Sequence, residues 1–452
     1  MTIPLRIALL LVATGVACPA AAQVLQAPPG STRGIFGTSG GTTTGAPVFA
    51  MTVDLDGGYD SNSLGDIEGT PTQFFAFQSG VVAAGAASAR FQVGTTDRFL
   101  LGVVSGGINQ QQVARGSRFY RQWRSQASLQ AATNLGRRSG LTANVGISYD
   151  PTFVFGAFDA IDRNGGEDNP LVDDGPLPAD PTLSLTPQRW LTNRVGAGVF
   201  RNWTSRQRMN LQYDGLWLRP SEGAGVESRT HSGALTHAWN PSPTIGLELV
   251  YRLDRWTLTQ EDVPAPPISA HTAEARFRHE RRLSPNRSMS FMVGGGAIAL
   301  EDSVTPGQAF LGQVSPTVSG TVQLSFLPIW SVALGARRDV TVLGSLSSEP
   351  FESNSVTLSL DATPSARFSA GATAGYSSGG ARRTPTGGFD QALVNARLQY
   401  ALWASAGLTL GYSYNRYEFR DVAVVASAFP SRFSRQSVRL GLTFWLPLYG
   451  TF

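Results

Sequence analysis

The chain has 452 residues, with 36 Arg, no Lys and 32 acidic residues for a net charge of +4. So small a surplus gives no polycation for nucleic acid, and no nucleic-acid partner is expected. Low charge (15%), fifty Gly and nine Trp point away from a soluble enzyme of this length.

Residues 1–22 read as a secretory signal peptide: Arg6, an apolar run from Ile7 to Val16, and Ala20, Ala21 and Ala22 before Gln23. The one cysteine, Cys18, falls inside that leader, which leaves no disulfide or thiol chemistry afterwards. Residues 23–47, rich in Gly, Ser, Thr and Pro, read as a flexible periplasmic tail or a small plug. Beyond them no apolar run approaches the ~20 residues that a spanning helix needs. Only a closed barrel can otherwise pair every backbone group inside hydrocarbon.

Residues 48–452 carry the pattern of such a barrel, because apolar side chains recur with a period of two. Val53, Leu55 and Tyr59 alternate with Asp54, Asp56 and Asp60 in the first segment, and one parity then runs from Phe75 through Val81 to Val93. Leu141 to Tyr149, Ile245 to Leu253, Val356 to Leu360, Phe368 to Tyr376 and Leu408 to Tyr414 repeat it. Eight short turns are expected near residues 95–97, 136–139, 205–207, 240–243, 284–286, 328–330, 363–365 and 404–405, alternating with nine longer polar loops that run from residues 61–71 to residues 420–432. This alternation predicts an all-β fold, a transmembrane antiparallel up-and-down barrel of about eighteen strands with both termini periplasmic. Tyr59, Tyr149, Trp217, Tyr376 and Tyr414 should form one aromatic girdle, and Trp203, Trp239, Trp330 and Trp403 the other. The last strand places Val438, Leu440, Leu442, Phe444, Leu446 and Leu448 on one face and ends at Phe452. That ending resembles the signal read by the outer-membrane assembly machinery, an expected partner, although Gly450 replaces the second apolar residue often found there.

The segment Leu55-Asp56-Gly57-Gly58-Tyr59-Asp60-Ser61-Asn62 resembles the opening of the β-barrel porin 2 family. That resemblance implies an outer-membrane barrel associated with export of capsular or extracellular polysaccharide. It transfers no binding residues.

The candidate functional residues follow from parity. On the face opposite the apolar set lie Arg124, Arg194, Arg252, Arg276, Arg278, Arg337, Arg397 and Arg439, with Asp54, Asp214, Glu248, Asp254, Glu274 and Glu280. Charge facing lipid would cost a few kcal/mol near the midplane, so these are expected to face inward, either lining a pore or pairing with one another and stiffening the wall. The loop from Pro151 to Pro187 is far longer than the others and holds Asp159, Asp162, Glu167, Asp168, Asp173, Asp174 and Asp180. Folded inward, it would constrict the pore; it could equally be a solvated surface lid, or coordinate divalent cations bridging lipopolysaccharide. His231, His237, His271 and His279 share the parity of the lipid-facing residues, which disfavours a catalytic or metal role, and no cofactor is expected. A channel for a small solute or polysaccharide is the first expectation. A closed structural or adhesive barrel is the second, and a membrane hydrolase the third. Outer-membrane lipids and lipopolysaccharide are the expected surroundings.

Overall fold

The computed structural model describes residues 45–64, 77–95, 98–113, 119–150, 190–220, 226–260, 263–264, 267–284, 287–302, 314–326, 329–342, 350–365, 367–381, 388–403, 405–420 and 432–449. The expected leader, most of the tail, the acidic residues 159–180 and Phe452 lie outside them.

The described residues are almost entirely strand. In chain order they are β1 (Gly45–Leu64), β2 (Phe77–Thr95), β3 (Arg98–Val113), β4 (Phe119–Asn134), β5 (Ser139–Asp150), β6 (Trp190–Asn202), β7 (Gln207–Pro220), β8 (Val226–Ser242), β9 (Ile245–Gln260), β10 (Val263–Pro264), β11 (Ile268–Ser284), β12 (Arg287–Asp302), β13 (Val314–Phe326), β14 (Trp330–Val342), β15 (Pro350–Ser365), β16 (Phe368–Ala381), β17 (Gly388–Trp403), β18 (Ala406–Arg420) and β19 (Arg432–Tyr449). β10 pairs only with the end of β9, and β9 pairs directly with β11. The wall therefore has eighteen full strands, each antiparallel to its neighbours. Because β1 bonds to both β2 and β19, the sheet closes on itself and leaves no edge.

The eight expected short turns all occur, joining β2 to β3, β4 to β5, and so on to β17 and β18. Gly45 and Tyr449, the ends of the described chain, lie at that same short-turn end. Tight backbone bonds close these hairpins, as from Leu135 N to Ser139 O at 2.9 Å and from Trp203 N to Gln207 O at 3.0 Å. Gly94 enters its turn at a φ of 123°, where a Cβ would strike the Arg98 carbonyl; glycine is required there.

The pleat decides which side chains face which way. Leu247, Leu249, Tyr251 and Leu253 on β9, Val356 and Leu358 on β15, Leu408 and Leu410 on β18, and Leu440 and Leu442 on β19 are exposed on the outer face. Cross-strand register carries the outer face around the wall, from Leu211 to Leu235 to Tyr251 to Ala273. Strands of 12 to 20 residues exceed the roughly 9–11 that a bilayer core requires, so their ends project beyond an apolar belt. Trp203, Trp239, Trp330 and Trp403 are exposed at the short-turn end, while Tyr59 and Tyr376 mark the other.

Candidate functional site

The inner face is polar and divides into three regions. The first is a charged sector on β9, β11 and β14. Arg252 Nε lies 2.7 Å from Asp254 Oδ2 and its guanidinium reaches Asp339 on β14 at 3.5 Å. Asp254 also accepts from Ser232 Oγ at 2.5 Å, and Asp339 pairs with Arg337. One step round, Arg276 holds Glu274 at 2.9 Å while Ser319 donates to the same carboxylate. Arg278 donates to Asn240 Oδ1 at 2.7 Å and sits 3.7 Å from the buried Glu248. The recurrent geometry is an arginine two residues from a carboxylate on one strand. A period of two puts both on one face, and the long arginine stem spans the gap.

Among the described side chains this sector from β9 to β14 sets Arg252, Arg276, Arg278, Arg282 and Arg337 against Glu248, Asp254, Glu274, Glu280 and Asp339. Five charges of each sign compensate. The wall is thus a fixed array of dipoles with little net charge, where parity alone suggested a surplus of arginine.

The second region carries few charges. From β15 to β18 the inner face presents Ser359, Ser369, Thr373, Ser377, Gln391, Asn395 and Asn415, all buried. Arg397 and Asp361, opposite Gly371, are the charges among them, and Arg397 Nε donates to the Gln399 amide oxygen at 3.1 Å. Ser377 Oγ, Asn395 Nδ2 and Asn415 Oδ1 have no hydrogen-bond partner among the described residues.

The third region is the seam between the first and last strands. Thr443 Oγ1 donates to Asp54 at 2.6 Å, Arg439 reaches Asp56 at 3.5 Å, and Arg435 Nε contacts both oxygens of Asp60 at 2.9 and 2.8 Å. Arg435 and Asp60 retain 1% and 0% side-chain exposure. Nearby, Gln436 N donates to Ser61 Oγ at 2.9 Å. The motif that resembled a family opening is therefore the first strand's half of the ladder that closes the cylinder.

Of the other residues singled out by sequence, Arg194 lies opposite Gly146 and Leu216, and Asp214 accepts from Gln212 Nε2 at 2.8 Å. Arg124 stands opposite Gly107 on β4, and its side chain is outside the described ones. The four histidines lie on outer-face positions. His231 and His271 each bond a tyrosine, Tyr213 and Tyr251, at 2.8 Å, and His279 approaches Thr244 O at 3.0 Å. Parity missed two features. Asp60 and Arg435 are 375 residues apart, and no local signal links them. Trp256, Ile268, Ala270, Ile298 and Val340 form a buried apolar cluster in which Trp256, Ile268 and Ile298 occupy inner-face positions. An aromatic on the polar parity of β9 was the available clue.

No family model matches the chain, and no curated protein does. Among solved structures it is similar to Pseudomonas aeruginosa OccK7 (OpdD), at 12% identity and a TM-score of 0.44 over 90% of this chain and 100% of that one. OccK2 (OpdF) of the same organism gives 13%, 0.43, 89% and 98%. Acinetobacter baumannii OccAB2 gives 10%, 0.43, 89% and 98%. At these scores the likeness carries no argument about function.

Proposed function

We propose that the protein is an outer-membrane β-barrel that passes polar solutes through its lumen. The observation that carries this reading is the pairing of an apolar outer face with an inner face of charges, hydroxyls and amides on a closed eighteen-strand wall. Barrels of sixteen to eighteen strands enclose a space too wide for wall side chains to fill, and inner charges are hydrated only where water enters. A secretory leader and the girdles of Trp and Tyr fit the same location, with the short turns in the periplasm. The pore-lining set is then Arg194, Arg252, Arg276, Arg278, Arg337, Arg397 and Arg439 with Glu248, Asp254 and Glu274, and Arg124 by its register.

Passage of polysaccharide is the finer form of the proposal. The sparsely charged sector from Ser359 to Asn415 supports it, since its hydroxyls and amides match a sugar's donors and acceptors. The resemblance of residues 55–62 to the β-barrel porin 2 family points the same way. A second reading, a closed structural barrel, draws on two observations: the inner charges of the β9 to β14 sector compensate, and Trp256 and its neighbours place apolar bulk inside the wall.

Planar bilayers separate the two. A channel gives stable conductance, and deleting residues 158–180 enlarges it if the acidic loop constricts the pore. Silent bilayers containing demonstrably folded protein would overturn the channel.

A further inference from the structure

We infer that the short-turn rim of β3 to β7 is a binding surface for anionic phospholipid headgroups, centred on Trp203. The inference rests on the membrane reading above. Arg98, Arg137, Arg138, Arg201 and Arg206 are all exposed there, and among the described residues no carboxylate stands within this group of turns; Asp97, beside Arg98 in sequence, lies outside them. At the opposite rim Arg229, Arg338, Arg416 and Arg420 each hold a carboxylate: Glu227, Glu352, Glu418 and Asp390. Arg219 at that rim has no such partner among the described residues, but most arginines described there are paired, whereas none of the five at the short turns meets a described carboxylate.

The surface is built rather than incidental. Arg201 lies over the Trp203 ring at 4.7 Å, and Arg138 Nη1 donates to Trp203 O at 3.4 Å. Asn202 N bonds Arg138 O at 2.7 Å, and Asn240 N bonds Arg206 O at 2.7 Å, so adjacent hairpins are tied together and their arginines held as a group. Guanidinium is the side chain best shaped to grip phosphate oxygens in pairs.

Height along the barrel selects a lipid over a soluble polyanion. Arg98 and Arg201 share the outer face with Leu141 and Val199, both exposed just toward the middle of the wall. Trp203 marks the interface between. A phosphate at the arginines would leave its acyl chains lying on Leu141 and Val199. A phospholipid has that shape, and the leaflet beside the short turns is the one reached.

The test uses full-length folded protein exchanged at low salt into mixed micelles of phosphatidylglycerol and phosphatidylcholine, with retained lipids counted by native mass spectrometry. An arginine at an anionic surface contributes about fivefold, so a variant carrying Arg138→Gln, Arg201→Gln and Arg206→Gln should lose preference for phosphatidylglycerol on the order of 100-fold. The preference of the unaltered protein should shrink as salt rises. Arg229→Gln, Arg416→Gln and Arg420→Gln together should leave it unchanged. Should the first variant not fold, Arg138→Gln and Arg206→Gln alone, each in a turn, should cost about fivefold apiece. Equal retention by the variant and the unaltered protein, or equal loss from both triple variants, would overturn the site. Failure of the unaltered protein to insert into phosphatidylcholine vesicles would overturn the membrane reading itself, and the site with it.

Discussion

Replacing Asp60 by Asn keeps the size of the side chain and removes the charge that Arg435 grips through two oxygens at 2.9 and 2.8 Å. Both side chains are buried, at 0% and 1% exposure, so solvent can replace little of the lost interaction. Breaking a buried pair by removing one partner costs about 3–5 kcal/mol, because a buried charge is left uncompensated. Asp60→Asn and Arg435→Gln should each fall in that range. The double variant should cost less than the sum of the two, since the second change removes the charge that the first left exposed to a low dielectric. The location adds a kinetic expectation. Because this pair fastens β1 to β19, and no chain connection joins those strands, the singles should also slow closure of the barrel. Urea unfolding in detergent micelles, followed by the heat-dependent gel mobility of folded barrels, reads stability; the rise of the folded band after dilution from urea reads closure. Single variants that each cost under about 1 kcal/mol, with additive double-variant losses, would refute a locked seam.

Two further outcomes follow from the outer and inner faces. Leu253→Arg puts charge on the exposed outer face halfway along β9 and should cost about 2–4 kcal/mol of insertion near the midplane, whereas Arg252→Leu on the inner face should cost less; equal insertion yields into vesicles would count against the register. Neutralising Arg252, Arg276 and Arg278 together changes the five positive and five negative inner charges of the β9 to β14 sector into two and five, a net of −3 for that sector. Reversal potentials in bilayers should then move toward cation preference, and the shift should shrink with salt. An unchanged preference would separate these residues from the ion path.

The strands were legible because a barrel in lipid imposes the strictest form of the period-two rule. Every outward side chain meets hydrocarbon and every inward one meets polar surroundings, so Leu247 to Leu253 and Leu440 to Leu448 announce their face residue by residue. The hairpins were legible from turn chemistry such as Asn240-Pro241-Ser242-Pro243. What escaped was whatever depends on closure. Each strand's parity is a local property, but the partnership of Asp60 with Arg435 exists only once the ends of a sheet spanning most of the chain have met. The period-two argument also treats the inner face as uniformly polar. Trp256, Ile268 and Ile298 break that rule because the interior is not a bulk solvent; apolar groups from adjacent strands can there bury one another.

The same distinction governs the candidate site. Parity located the inner arginines but could not say what they face, since Arg252 meets Asp339 and Glu274 meets Ser319 only across strands distant in sequence. Compensation alters the chemistry more than position does. Unpaired, those arginines would concentrate anions along the wall; paired, they leave a field that alternates over the few ångströms between partners and largely cancels at the centre of a wide pore. Selection by net charge is then weak, and the sparsely charged hydroxyl and amide sector of β15 to β18 offers polar atoms such as Ser377 Oγ and Asn395 Nδ2 not engaged by the described residues, as Thr272 Oγ1 and Thr317 Oγ1 do in the charged sector. On the proposed channel reading, a solute that exchanges hydrogen bonds without carrying charge is therefore favoured over a small ion.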